Sequence, residues 1–109
     1  MAIERWSDRV SLVHLGTDPQ FTDDLNSLDG LLKQGHTHVV LDFSGVAFLN
    51  SSNLSRLLRL RKAVHDSGDR LVLCGINTKA WSTFLVTGLD KVFEYADAVP
   101  TALAMVQLS

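Results

Sequence analysis

The residues of this chain best suited to chemistry are two adjacent hydroxyls, Ser51 and Ser52, set between Asn50 and Asn53. They stand where two kinds of sequence meet. Upstream, Val39, Val40 and Leu41 form a continuous apolar run of strand type, closed by Asp42 and the turn-forming Ser44 and Gly45. Downstream, Leu54, Leu57 and Leu58 begin a helical spacing, and Asn50-Ser51-Ser52-Asn53 supplies several N-cap residue types in a row. A serine at a helix start lies beside unpaired backbone N–H groups and the positive end of the helix dipole. A phosphate is well tolerated there and changes the charge of the exposed helix start. The pattern suits a switch better than a catalyst.

Other chemistries find less support. A nucleophilic serine needs a base and an orienting acid. The histidines are His14, His36, His38 and His65. His14 falls on a strand, His36 and His38 flank a strand start, and His65 ends a polar helix face. None makes a motif with Ser51 or Ser52, and all four read as surface or strand-edge residues. The serine pair also lacks the glycines of a G-x-S-x-G nucleophile elbow. No catalytic residue is expected, and the chain reads as non-enzymatic. His36 and His38 have no cysteine or acidic set in phase with them, so no metal is expected. With neither G-x-G-x-x-G nor a Walker lysine in the sequence, no nucleotide cofactor is expected either. A receiver-type phosphoacceptor needs acidic residues at the carboxyl ends of its first and third strands. Asp42 ends a strand, but the first strands end at Ser7 and Gly16, with Asp18 past a turn. Cys74, the only cysteine, sits inside LVLCGI and reads as a small buried hydrophobe.

The elements that must position the serines follow from periodicity. Ile3 to Trp6 and Val10 to Leu15 read as an opening hairpin, ended by Gly16-Thr17-Asp18-Pro19. A helix is expected from about Thr22 to Lys33, with Leu25, Leu28, Leu31 and Leu32 on one face and Asp23 and Asp24 in the first turn. A strand from His38 to Phe43 precedes the serine loop, and a helix from about Ser52 to Asp66 follows it. That helix is expected to turn Leu54, Leu57, Leu58, Ala63 and Val64 to a core, with Leu60 near the edge. Arg70 to Cys74 is a further buried strand, and Thr78 to Thr87 a helix stopped by Gly88. Val92 to Tyr95 is the last strand, and Ala98 to Leu108 the last helix, with Pro100 in its first turn. Leu57, Leu58, Val72 and Phe84 are expected to be largely buried.

The order ββαβαβαβα predicts an α/β fold: a mixed, mostly parallel sheet with one antiparallel edge strand and helices packed mainly on one face. At 109 residues the chain is expected to be one domain, 1–109. A formal net charge of −2 gives no general electrostatic case for nucleic acid or anionic lipid. On the second helix, Arg56, Arg59, Arg61 and Lys62 offer either a docking face for an acidic partner or RNA, or a solvated surface. The start MAIERWSDRV lacks the apolar stretch of a signal peptide, and no run reaches membrane-spanning length, so the cytoplasm is the expected compartment.

From about His38 to Leu103, the strand ending LDFSGV, the loop FLNSS, a helix of about four turns, the strand LVLCGI and the helix ending TGLDKVF follow in an order and spacing that resemble a bacterial STAS domain of the anti-sigma factor antagonist family. The resemblance is looser through the N-terminal hairpin and first helix. The family's loop is characteristically Asp-Ser-Ser-Gly-Leu. Its first hydroxyl, which falls on Ser51 here with Ser52 as the alternative, is the one phosphorylated by a partner anti-sigma factor that is itself a serine kinase. The resemblance implies that the unphosphorylated chain sequesters the kinase and frees a sigma factor, that phosphorylation breaks the complex, and that a serine phosphatase restores it. The implied partner surface comprises Asn50, Ser51, Ser52, Asn53, Ser55, Arg56 and Arg59, on a monomer or weak dimer without cofactors. The alternative is a STAS scaffold subunit, never phosphorylated, in a signalling or transporter-associated complex. Two residues depart from the family's loop: its aspartate is Asn50 and its glycine is Asn53. The family's Gly-Glu-Leu-Asp after the second strand is the shorter Gly16-Thr17-Asp18 here.

Overall fold

The computed structural model describes residues 3–108. Strand β1 (Ile3–Ser7) turns back as β2 (Val10–Gly16), followed by α1 (Gln20–Leu32), β3 (His38–Gly45), α2 (Ser51–Asp66), β4 (Leu71–Cys74), α3 (Thr78–Thr87), β5 (Glu94–Ala96) and α4 (Val99–Gln107). The five strands lie in the order β1-β2-β3-β4-β5, antiparallel at the β1–β2 hairpin and parallel elsewhere. Each parallel step is made by one helical crossover, as parallel strands require.

The register gives the two faces their characters. Val13, Leu41 and Leu73 pair across the sheet, and with Val39 and Phe43 they face α1, α2 and α3. Phe43 meets Phe21 of α1 and Phe84 of α3 edge-to-face, each at 6.1 Å between ring centres. Such pairs add about 0.5–1.5 kcal/mol each to the area they bury. On the opposite face Leu12, Val40, Val72 and Cys74 pack beneath Ala102 and Val106 of α4. Three helices therefore cover one face and one helix the other, matching the expected mixed sheet with helices mainly on one side. Cys74 is fully buried, and desolvation pushes its thiol up to about 11, in keeping with a packing role.

Several boundaries differ from expectation for physical reasons. Helix α1 begins at Gln20 rather than Thr22, because Thr17 C=O accepts from Gln20 N–H at 3.1 Å and the Asp18 carboxylate from Thr22 N–H at 2.9 Å. Those bonds satisfy donors that a helix start otherwise leaves open. Asp24 is not a solvated first-turn acid: it is 5% exposed and accepts from Gln20 Nε2 at 2.7 Å. The last strand starts at Glu94, because Leu89–Lys91 forms a 3-10 turn and Val92 N–H still bonds back to Leu89. Gly88 ends α3 with φ at 77°, the left-handed cap expected of it.

The second helix turns a different face inward. Asn53, Leu54, Leu57, Leu60 and Val64 are its buried residues, whereas Leu58 is 41% exposed and Ala63 is also exposed. At about 100° per residue, the stripe centres near Leu57 and Val64, and Leu58 lies roughly 110° away from that centre. Leu60 is thus core and Leu58 surface, the reverse of the sequence expectation. Leu57, Val72 and Phe84 are fully buried as expected. Truncating Leu57 to alanine should cost about 2–5 kcal/mol. The same change at Leu58 should stay within about 0.5 kcal/mol. Urea melts of the two variants check this, and equal losses would contradict the assigned helix face.

Candidate functional site: the serine loop at the start of the second helix

Strand β3 delivers the chain to the site. Its end runs so close to β2 that a Cβ on Gly45 would stand 2.7 Å from the Leu15 carbonyl oxygen, which requires glycine there. The following loop is pinned by neighbouring elements. Ala47 N–H donates to Thr17 Oγ1 at 2.8 Å, and Asn77, the cap of α3, donates to Val46 C=O at 2.8 Å.

At the loop's end Asn50 caps α2. Its Oδ1 accepts from Asn53 N–H at 2.8 Å, and Asn53 Oδ1 accepts from Asn50 N–H at 3.0 Å, forming a closed capping box. A cap of this kind is worth about 0.5–2 kcal/mol. Ser51 is then the first residue of α2, with Ser52 the second, and both are exposed. Neither hydroxyl is engaged in a hydrogen bond among the described residues. A phosphate on either would meet solvent and open N–H groups of the first helical turn.

Both asparagines also reach Asp18, in the loop between β2 and α1. Asn53 Nδ2 donates to Asp18 Oδ2 at 2.7 Å and Asn50 Nδ2 to the same oxygen at 3.3 Å, while the Thr22 hydroxyl donates to Asp18 Oδ1 at 2.7 Å. The bonds from Thr22 and then from Asn53 hold the Asp18 carboxyl below its usual range, outweighing a small desolvation cost. Sequence reasoning placed Asp18 merely past a turn. Its partners lie 32 and 35 residues away, and no local pattern announces such a bond.

The other residues expected at the site divide by location. Ser55 and Arg59 are exposed on the outer side of α2, and Asn50 is exposed at its cap. Asn53 is 2% exposed, so it acts by holding the loop. Arg56 donates to Asp29 at 2.8 Å and to Asn26 at 2.9 Å, which turns its side chain onto α1 and leaves it 15% exposed. Arg61 Nε donates to Val92 C=O at 3.0 Å and Lys62 pairs with Asp66 at 2.7 Å. Of the four cations on α2, Arg59 alone has no ion pair or hydrogen bond among the described residues. Phe48, 50% exposed with Lys79 Nζ 5.5 Å from its ring centre, adds an apolar surface beside the loop that sequence reading did not single out.

The histidines stand apart from the serines. His14 Nδ1 is 2.8 Å from Asp42 Oδ2, on the α4 side of the sheet. Burial raises the Asp42 carboxyl, but bonds from Ser44 N–H and His14 outweigh it, leaving the pKa lowered. His38 is 5% exposed, more buried than a strand-edge residue, and its Nδ1 accepts from Arg70 N–H at 2.9 Å. His36 lies 3.5 Å from Asp69, and His65 is in the last turn of α2.

A five-stranded mixed sheet, three helices against one, and an exposed hydroxyl pair at the helix start after the central strand define the class: a STAS-type α/β fold. The family model described as "Mlab, STAS domain" matches residues 4–101, and the chain belongs to the STAS domain family. Solved structures agree in fold. An anti-sigma factor antagonist from Mycobacterium paratuberculosis superposes with TM-score 0.80 at 23% identity, covering 96% of this chain and 91% of that one. The Bacillus cell fate determinant SpoIIAA in its phosphorylated form gives 0.75 at 17% identity, covering 95% and 96%. A serine-to-glutamate variant of RsbS from Moorella thermoacetica gives 0.82 at 18% identity, covering 96% and 92%. At these identities the likeness establishes the fold. Among the described residues no helix is long and apolar enough to cross a membrane.

The Asp18 bonds imply a pH dependence. A carboxyl whose folded pKa is lowered contributes stability above its ordinary value of 3.8, and that contribution is lost as pH falls through the folded value. The stability gap between the wild type and Asp18→Asn should therefore be full at neutral pH and shrink below about pH 4. Urea midpoints measured from about pH 2.5 to about pH 7, spanning the carboxyl range, check it, and a gap independent of pH would remove the charge from the explanation.

Proposed function

We propose that the chain is a non-enzymatic, cytoplasmic partner-switching module: an antagonist that sequesters an anti-sigma factor serine kinase and is controlled by phosphorylation of Ser51. The observation that carries this reading is the Ser51 hydroxyl itself, exposed and without a hydrogen bond among the described residues, at the first position of a helix capped by the Asn50–Asn53 box. In the neutral state it suits close packing against a partner. Phosphorylation adds about −1.5 to −2 charges. The helix dipole stabilises that charge within the free chain by only about 0.3–1 kcal/mol. The larger effect falls on the complex, where an interface built around a neutral hydroxyl must accept a bulky dianion. A serine phosphatase then restores the binding form. Transcription is the regulated output, through the sigma factor that the kinase would otherwise hold.

Ser55 and Arg59, on the outer side of α2, extend the contact surface. Arg56 is better read as a link between α1 and α2, since a glutamate there would face Asp29. Charge reversal at Arg59 tests the interface without breaking that link.

A second reading is favoured by Asn50, which removes the loop carboxylate that the family carries beside its phosphoacceptor. On that reading the chain is a STAS scaffold subunit of a signalling or transporter-associated complex, never phosphorylated.

Incubation of the purified chain with a candidate kinase and ATP, followed by mass spectrometry, separates the two. Phosphate is expected on Ser51. Ser51→Asp should release the kinase and Ser51→Ala should bind it constitutively. Phosphate on Ser52 would shift the acceptor by one residue. No phosphate on either serine, with full binding by Ser51→Asp, would leave the scaffold reading.

A further inference from the structure

We propose that Asp18 is the positioning residue of the Ser51 loop, acting through the side-chain amides of Asn50 and Asn53. The proposal rests on the reading of Ser51 as phosphoacceptor and names what presents that hydroxyl. Asn50 uses both ends of its amide, accepting from Asn53 N–H at 2.8 Å and donating to Asp18 Oδ2 at 3.3 Å. Asn53 does the same, accepting from Asn50 N–H at 3.0 Å and donating to the same Asp18 oxygen at 2.7 Å. Each position needs one acceptor and one donor, and an ionised aspartate offers acceptors only. An aspartate at position 50 would keep the helix cap but set a second carboxylate against Asp18.

The two departures from the family's Asp-Ser-Ser-Gly loop are therefore one hydrogen-bonded unit, and its third member comes from a different loop. Ser51 is held on its N-terminal side by Asn50, and two residues further on by Asn53. The direction in which its hydroxyl is offered follows from where Asp18 stands. Because Asp18 also bonds Thr22, it couples the presentation of Ser51 to the first turn of that helix.

A swap of the two residues tests this. Four proteins are compared: wild type, Asp18→Asn, Asn50→Asp, and the double variant carrying both changes. Asn50→Asp should lower the melting temperature by about 4–8 °C. The double variant, which exchanges donor and acceptor, should recover most of that loss. In nitrogen-proton NMR spectra, the side-chain amide signals of Asn50 and Asn53 should shift together in Asp18→Ala, with the helical signals of α4 unchanged. Where a kinase phosphorylates the wild type, Asp18→Ala should slow transfer to Ser51 by roughly 10- to 100-fold, the cost of a misplaced acceptor. A rate equal to wild type in Asp18→Ala would overturn the positioning role even if the fold suffers. An Asn50→Asp protein as stable as wild type would overturn the link between the two positions. A wild type that no kinase modifies would instead sink the phosphoacceptor reading, and the NMR and swap results would still decide whether Asp18 sets the loop.

Discussion

Strand β3 is closed on both faces: Val39, Val40, Leu41 and Phe43 have no exposed surface, with α1 to α3 on one side and α4 on the other. A strand enclosed this way cannot shift register, because a slip of one residue would exchange its two apolar sets and carry Asp42 into the aromatic layer. Its backbone must also leave the sheet at one place, beyond Gly45. The loop that follows is therefore presented at a fixed height above the sheet. The position of Ser51 is inherited from the packing of β3.

Fixing the loop's origin does not fix its path, and here polar interactions take over from burial. The segment between β3 and α2 has few apolar anchors, chiefly Val46 and Leu49. Thr17, Asp18 and Asn77, from the loops after β2 and β4, tie down its backbone and its cap. Parallel strands bring these loops to one end of the sheet, so the topology makes such cross-bracing possible. Asp18 has a particular role among them because one carboxylate serves two helices. Its lowered pKa is the electrostatic expression of those bonds: donors that favour the ionised form stabilise it against protonation.

Legibility from sequence divides along the same line. The strands and helices were readable because β3 and β4 are unbroken apolar runs, Asn50-Ser51-Ser52-Asn53 supplies cap residue types at the start of α2, and Gly88 stops α3, all local signals. The inward face of α2 was misread because leucines occur at 54, 57, 58 and 60, so composition alone does not choose the stripe. The choice falls to the neighbours: α1 stands where Arg56 can reach Asp29, and this rotation turns Leu58 outward and Leu60 in. The helix start that exposes Ser51 was legible because a helix start has a local signature. Asp18 was not, since its meaning depends on two amides more than thirty residues away.

The rotation of α2 also separates two kinds of residue that alternate along one helix. Asn53, Arg56, Leu57, Leu60 and Val64 point inward or to α1 and carry the folding contacts. Ser51, Ser55, Leu58 and Arg59 lie on the outer side, where none has a hydrogen bond or ion pair with another element among the described residues. Residues spaced three or four apart on a helix form one continuous surface, so these outer positions adjoin one another. On the proposed reading this separation is what a switch requires. A dianion on Ser51 would face solvent in the free chain, leaving the β3 core and the Leu57 stripe untouched, so its free-energy consequence falls almost wholly on the bound state. Leu58 supplies the apolar surface that an otherwise polar outer face lacks, and its exposure costs the fold little because Leu57 and Leu60 already fill the space beneath α2.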